Sequence, residues 1–208
     1  MKYKLLKLLF LAFLFIGQSA YAIEPLSIKY VDPKASEKAQ VAFERATVYV
    51  KQGNYTKALE YLKTSYEYEP ADGTAFGIGF AYKELKDYNN AIKWYKKSFE
   101  MGRIDGGVNL GLLYKKVYKD YPNAIKWYKK AIKKGDIDAR KNLGLLYHQQ
   151  KDKLNSATYM IGMIGHPYTK ERVLGLLRDD WKIDEPTLKK AYELQKTLVP
   201  NPYTGGIE

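Results

Sequence analysis

The chain has 208 residues, 46% of them hydrophobic and 28% charged, with 35 basic residues against 23 acidic ones and a net charge of +12. This composition fits one soluble domain able to bury a core, and it excludes the disordered class. Cysteine does not occur, which rules out an acylated thiol, a disulfide, a thiolate metal site and a cysteine nucleophile.

Residues 1–22, MKYKLLKLLFLAFLFIGQSAYA, open with Lys2, Lys4 and Lys7, continue through an apolar run from Leu8 to Ile16, and end in Ala20-Tyr21-Ala22. That order is the pattern of a secretory signal peptide cut after Ala22, and the apolar run is shorter than the roughly 20 residues of a spanning helix. The reading therefore predicts export, with the periplasm or the exterior as destination and no transmembrane span after cleavage. N-terminal sequencing of protein recovered from the cell envelope checks it: the expected first residue is Ile23, and uncut chain in the cytosol would contradict it. Cleavage removes three lysines and no acid, leaving 32 basic against 23 acidic residues, or +9. An exported basic chain points to anionic envelope components or an acidic protein more than to nucleic acid, although a merely solvated lysine surface also fits.

IEPLSIKYVDPK and its surroundings, residues 23–35, read as a disordered leader. From residue 36 a period near 33 begins. NAIKWYKK occurs at 90–97 and again at 123–130, NLGLLY at 109–114 and 142–147, VLGLL at 173–177, and FGIGFAY at 76–82 is a looser copy. Gly79, Gly111, Gly144 and Gly175 mark successive units, and Tyr49, Gly53, Tyr55, Ala58 and Leu62 align with Tyr82, Lys86, Tyr88, Ala91 and Tyr95 as an earlier one. Five units follow.

Within each unit the apolar spacing is helical, as in Ala75, Ile78, Gly79, Tyr82 and then Ala91, Ile92, Tyr95, Phe99, with KELKDYNN between as punctuation. Each unit is thus a helix pair. The small residues Gly79, Gly111 and Gly144 of the first helix and Ala91 and Ala124 of the second permit close crossing. Tyr82, Tyr114 and Tyr147, one turn beyond the glycines, are expected to fill the space beside them, and Trp94 and Trp127 to pack structurally. Pro70, Gly102 and Gly135 close second helices. One pair cannot bury its apolar stripe alone, so the copies stack into a continuous core. The last unit places Arg178 where others have tyrosine and inserts DDWKIDEP before the helix LKKAYELQK, which suits a polar cap. VPNPYTGGIE at 199–208 reads as a disordered tail, or one that docks in the groove of the stack.

These units resemble the tetratricopeptide repeat superfamily, and more closely its Sel-one-like branch, over residues 36–198. NLGLLY, AIKWYKKA at 124–131 and AIKKGDIDARKNLG at 131–144 carry the resemblance. It implies an all-α fold, a right-handed α-solenoid of about five stacked antiparallel helix pairs. Cysteine-rich secreted members of that branch staple each pair with a disulfide; this chain cannot, so functions special to them do not transfer.

No constellation suggests catalysis. His148 and His166 lie 18 residues apart without metal-binding spacing. Ser65 and Ser98 stand where second helices carry a small packing residue. Gly77-Ile78-Gly79 and Gly162-Met163-Ile164-Gly165 lack the strand and lysine of a phosphate loop. Asp179, Asp180, Asp184 and Glu185 sit in a connector. No metal or other cofactor is expected. What the resemblance offers is a surface: first helices line the concave face. Counting from the packing glycines places Phe76 and Phe80, then Val108, Asn109 and Leu112, then Lys141, Asn142, Leu145 and His148, then Arg172 and Leu176 along it. These either form a binding groove or lie between repeats, and the asparagines serve either a bound peptide backbone or inter-repeat bonds. The second helices carry a convex ridge of lysines, from Lys93 to Lys134. The expected function is a non-catalytic, exported scaffold for a protein or peptide partner. An immunity protein neutralising an antibacterial effector in the periplasm is the alternative. An envelope enzyme is a third reading, with almost no residue support.

Overall fold

The computed structural model describes residues 33–165, 168–198, 200 and 202–208; the expected signal peptide, residues 23–32 of the expected leader and His166 lie outside these. Among the described residues the chain forms helices α1 (Pro33–Lys51), α2 (Tyr55–Tyr68), α3 (Asp72–Glu84), α4 (Tyr88–Glu100), α5 (Ile104–Leu113), α6 (Tyr121–Lys133), α7 (Ile137–Gln149), α8 (Lys153–Ile161), α9 (Lys170–Gly175) and α10 (Glu185–Leu198). Single π-helical turns, Tyr114–Tyr118 and Leu176–Asp180, extend α5 and α9. α1 begins three residues before the expected start of the solenoid, so residues 33–35 are helical and not part of a leader.

The turns inside the pairs repeat one device. A residue in the left-handed region, Gly53, Lys86, Lys119 or Lys151, reverses the chain. The side chain that follows it, Asn54, Asp87, Asp120 or Asp152, accepts a hydrogen bond from the backbone N–H three residues on, at 3.0–3.1 Å. These are N-caps, which satisfy one of the orphan donors of each second helix. Asn90, Asn123 and Asn155 strengthen the caps by donating their side-chain amides back to the aspartates at 2.6, 2.6 and 2.7 Å. The amides of Asn90 and Asn123 hold the carboxyls of Asp87 and Asp120 below their ordinary pKa.

Spacing explains the π turns. From the packing position to the capping residue the chain counts eight residues in three units, Ala46 to Asn54, Gly79 to Asp87 and Gly144 to Asp152, but nine from Gly111 to Asp120 and from Gly175 to Asp184. Those two units contain the π turns, which absorb the extra residue without shifting the cap.

Packing follows the same period. A Cβ at Gly79 would stand 2.8 Å from the ring of Tyr95, at Gly111 2.4 Å from that of Tyr128, and at Gly144 2.9 Å from Met160 Sδ. The knob that fills each glycine notch therefore comes from the partner helix and not, as the sequence suggests, from Tyr82, Tyr114 or Tyr147 one turn further along. Tyr95 and Tyr128 are fully buried, and burial pushes both phenols well above their usual pKa. Ala91 and Ala124 are likewise fully buried. Ser65 and Ser98 are buried packing residues, and the Ser98 hydroxyl donates to the Asp72 carbonyl at 2.9 Å.

Between units, second helices meet through rings: Tyr66 on Trp94 at 5.0 Å and Phe99 on Trp127 at 5.7 Å, both edge-on. Each tryptophan is covered in turn by the lysine three residues later, Lys97 and Lys130. Trp127 is buried and Trp94 only partly so.

The C-terminal unit departs from the pattern. α9 is short, and α10 packs chiefly against α8 of the preceding unit. Gly175 faces no partner helix, its nearest neighbour being Asp179. The described tail residues are ordered against this end. Ile207 is buried with Leu177 and Leu188, Gln195 is fully buried and bonds both the carbonyl and the N–H of Tyr203, and Tyr192 donates to the Thr204 carbonyl at 3.0 Å. Two arginines hold the segment by its backbone: Arg140 donates to Pro200 O at 2.7 Å and Arg178 to Ile207 O at 2.8 Å. Arg140, 2% exposed, also donates to Gly162 O at the C-terminal end of α8, where the helix dipole favours a cation.

Candidate protein-binding face

The first helices α5 and α7 touch directly, whereas the second helices α4 and α6 meet through long side chains, in keeping with first helices on the inner side. The inward positions divide into three groups.

Phe76 and Phe80 are half-buried and already engaged. Phe76 lies against Tyr95 with the Arg103 guanidinium 4.8 Å above its ring; Phe80 meets the edge of Tyr55 and carries Lys83 at 4.7 Å. Both help join units, and their apolar faces are capped by cations. Val108, at 8% exposure, belongs to the core, because the close α4–α5 crossing at Gly106 and Gly107 draws that turn inward.

Asn109 and Leu112 line a cavity of about 330 Å³ between the C-terminal ends of α3 and α5. Leu112, Leu113, Val117 and Tyr88 supply its apolar lining, and Lys83, Glu84, Lys86 and Lys116 its charged groups. The π turn carries Val117 and Lys116 into this wall. Burial, with the like charge of Lys116 adding to it, lowers the pKa of the neighbouring Lys115 ammonium. Lys83 pairs with Glu84 at 2.6 Å, whereas Lys86 and Lys116 have no ion-pair partner within 4 Å among the described residues. Asn109 spends its amide on the Asp105 carbonyl of its own helix at 3.0 Å, leaving its side-chain oxygen for another donor.

Lys141, Asn142, Leu145, His148 and Arg172 form the third group. Lys141 and Arg172 converge from different helices on the ring of Tyr168, at 5.8 and 5.3 Å. His148 stacks on Trp181 with centroids 3.8 Å apart and planes at 13°. Leu145, one turn before His148, is 37% exposed. Tyr168 and Trp181 escape a reading by period because both lie in connectors of the irregular last unit, whose sequence signals are Arg178 in place of tyrosine and the inserted DDWKIDEP. Asn142 is half-buried.

Another cleft, of about 480 Å³, opens between α1 and α2 and is lined by Val41, Ala42, Tyr61 and Tyr68 with Lys38 and Arg45 beside the rings. Among the described residues no group of His, Asp and Glu could hold a metal ion, and no helix is long and apolar enough to cross a membrane. Two of the connector acids serve the fold: Asp184 caps α10 through Thr187, and Glu185 pairs with Arg178 at 2.6 Å.

Comparison with known proteins agrees with this geometry. The family model described as tetratricopeptide repeat matches residues 38–72 and 74–101, and that described as Sel1 repeat matches residues 108–136. Among curated proteins none matches the sequence. Several solved structures share the fold at low identity. A Sel1 repeat protein from Oxalobacter formigenes superposes with a TM-score of 0.54 at 22% identity, covering 80% of this chain and 76% of that one. For a tetratricopeptide repeat protein from Parabacteroides merdae the values are 0.56, 17%, 76% and 66%. YrrB, described as a tetratricopeptide repeat protein with an unusual peptide-binding site, gives 0.52, 18%, 77% and 88%. The chain is thus a solenoid of stacked helix pairs whose first two units match the tetratricopeptide repeat model and whose third matches the Sel1 repeat model.

Proposed function

We propose that this chain is a non-catalytic, exported scaffold that holds a protein or peptide segment along its inner face. The observation that supports the reading is the cavity at Leu112, apolar groups with lysines and Asn109 beside them, together with the exposed Leu145 at the matching position of the next first helix. Apolar anchors flanked by polar groups are what peptide recognition requires, the anchors supplying affinity and the polar groups register. The peptide-binding site ascribed to YrrB, which shares the fold, is in keeping with it. Contact with anionic envelope components belongs to the outer face.

Leu112→Glu with Leu145→Glu is the test. Both side chains are partly open, so a carboxylate at each should leave helicity and melting near those of the parent while partner binding falls by tenfold or more, as expected for the loss of about 1.4 kcal/mol or more at apolar anchors. Phe80 is unsuited, since its contact with Tyr55 makes any charge there structural damage. A folded double variant that binds the partner of the parent protein undiminished would overturn the proposal.

A further inference from the structure

We infer that the outer face of α4 and α6 is a docking surface for an anionic phospholipid bilayer. Lys93, Lys96 and Lys97 of α4 recur at the 33-residue period as Lys126, Lys129 and Lys130 of α6, and Lys133 and Lys134 follow. All eight are exposed, and the only acid on either helix is Glu100, 3.7 Å from Lys96. The two helices are held together by the Phe99–Trp127 contact and by Lys134, which donates to the Phe99 carbonyl at 3.2 Å. Each is about 20 Å long, so the lysines form one broad patch.

The excess is local. On α2, Lys57 and Lys63 are balanced by Glu60 and Glu67; α8 carries Lys153 alone; on α10 the lysines alternate with Glu185 and Glu193. A lysine surface serving solubility alone would not concentrate in two neighbouring helices.

The chemistry of the patch distinguishes its partner. It contains no arginine, so it lacks the planar fork that reads a single phosphate bidentately and offers point charges suited to a diffuse anionic plane. Nor does it present open rings. Trp127 is buried beneath Lys130, and Trp94 is covered by Lys97 and the edge of Tyr66. Single-stranded nucleic acid needs free stacking faces, and a duplex needs an element that enters a groove. Lys97, Lys130 and Lys134 are tied to rings, but Lys93, Lys126, Lys129 and Lys133 make no ion pair within 4 Å among the described residues, whose fold does not depend on them. With this face on a bilayer, the inner row points away from the membrane, toward a partner.

The test compares the full chain with two variants. One replaces Lys93, Lys96, Lys126, Lys129 and Lys133 by glutamine; the other makes the same change at Lys57, Lys151, Lys182, Lys189 and Lys190, which are equally exposed. Partition is measured on vesicles of phosphatidylglycerol mixed into phosphatidylcholine, and on phosphatidylcholine alone. Any contribution of Lys2, Lys4 and Lys7 is common to all three proteins and cancels. Near an anionic surface each lysine is worth about a fivefold factor, so the ridge variant should lose about a hundredfold or more of the preference for anionic vesicles. The control variant should keep most of it, replacement of the ridge lysines by arginine should restore it, and roughly 0.5 M salt should abolish it in the parent. Equal losses in both variants would reduce the effect to net charge and overturn the assignment, as would an undiminished ridge variant. Ridge-dependent binding of oligonucleotides without a preference for anionic vesicles would overturn it in favour of nucleic acid.

Discussion

Gly106→Ala is expected to destabilise the chain by about 2–3 kcal/mol. Gly106 lies in the first turn of α5, where a Cβ would stand 2.5 Å from the carbonyl oxygen of Tyr95 and 3.0 Å from the backbone nitrogen of Phe99. Both atoms belong to the main chain of α4, so no change of rotamer relieves the clash. The helices must part, and the rings of Tyr95 and Phe99 that fill the notches at Gly79 and Gly107 move with them. Alanine returns about 1 kcal/mol through its better helix propensity, which the expected figure already includes. Gly144→Ala makes the contrast. There the obstructing atom is the sulfur of Met160, on a flexible side chain that can turn aside, so a cost near zero is expected. Urea unfolding of the two variants measures the difference, and equal costs would contradict the packing described.

Trp127→Ala is expected to cost about 3–5 kcal/mol, the range for truncating a buried aromatic side chain. Its ring is 7% exposed, lies edge-on to Phe99 of the preceding second helix and is covered by Lys130, so its removal opens the joint between units two and three. Trp94→Ala, at the equivalent joint with Tyr66 but partly exposed, should cost less than half as much. In a stacked repeat such damage spreads to neighbouring units, so the transition should also broaden. A loss below about 1 kcal/mol at Trp127 would mean that the joint is held elsewhere.

The repeat period carries most of the fold because it is a local property: the glycine notch, the capping aspartate and the helical spacing recur within every 33 residues. It says less about what fills each notch. Tyr95 and Tyr128 come from the partner helix, and Tyr82 or Tyr114, nearer in sequence, are equally aromatic. The ordered tail is the clearest case of a feature hidden from composition. Proline and glycine in VPNPYTGGIE suggest disorder, but Arg140, Gln195 and Arg178 hold Pro200, Tyr203 and Ile207 through their backbone atoms. Such bonds demand no particular residue of the tail and so leave no trace in its sequence. The positions proposed for the inner row follow from counting along first helices, but their burial does not. Val108 is drawn inward by Gly106 and Gly107 before it, whereas Lys141, its counterpart one unit later, follows Ala139 and Arg140 and stays only partly buried. The π turns were legible in principle from the nine-residue count between notch and cap.

The inner face as the partner site is tested most directly by site-specific photocrosslinking in intact cells. A photoreactive residue is placed at Leu145 on the inner row or at Lys129 on the outer ridge. The account predicts a discrete protein adduct from position 145 and none of the same species from position 129. The same protein adduct from position 129 and none from position 145 would contradict it.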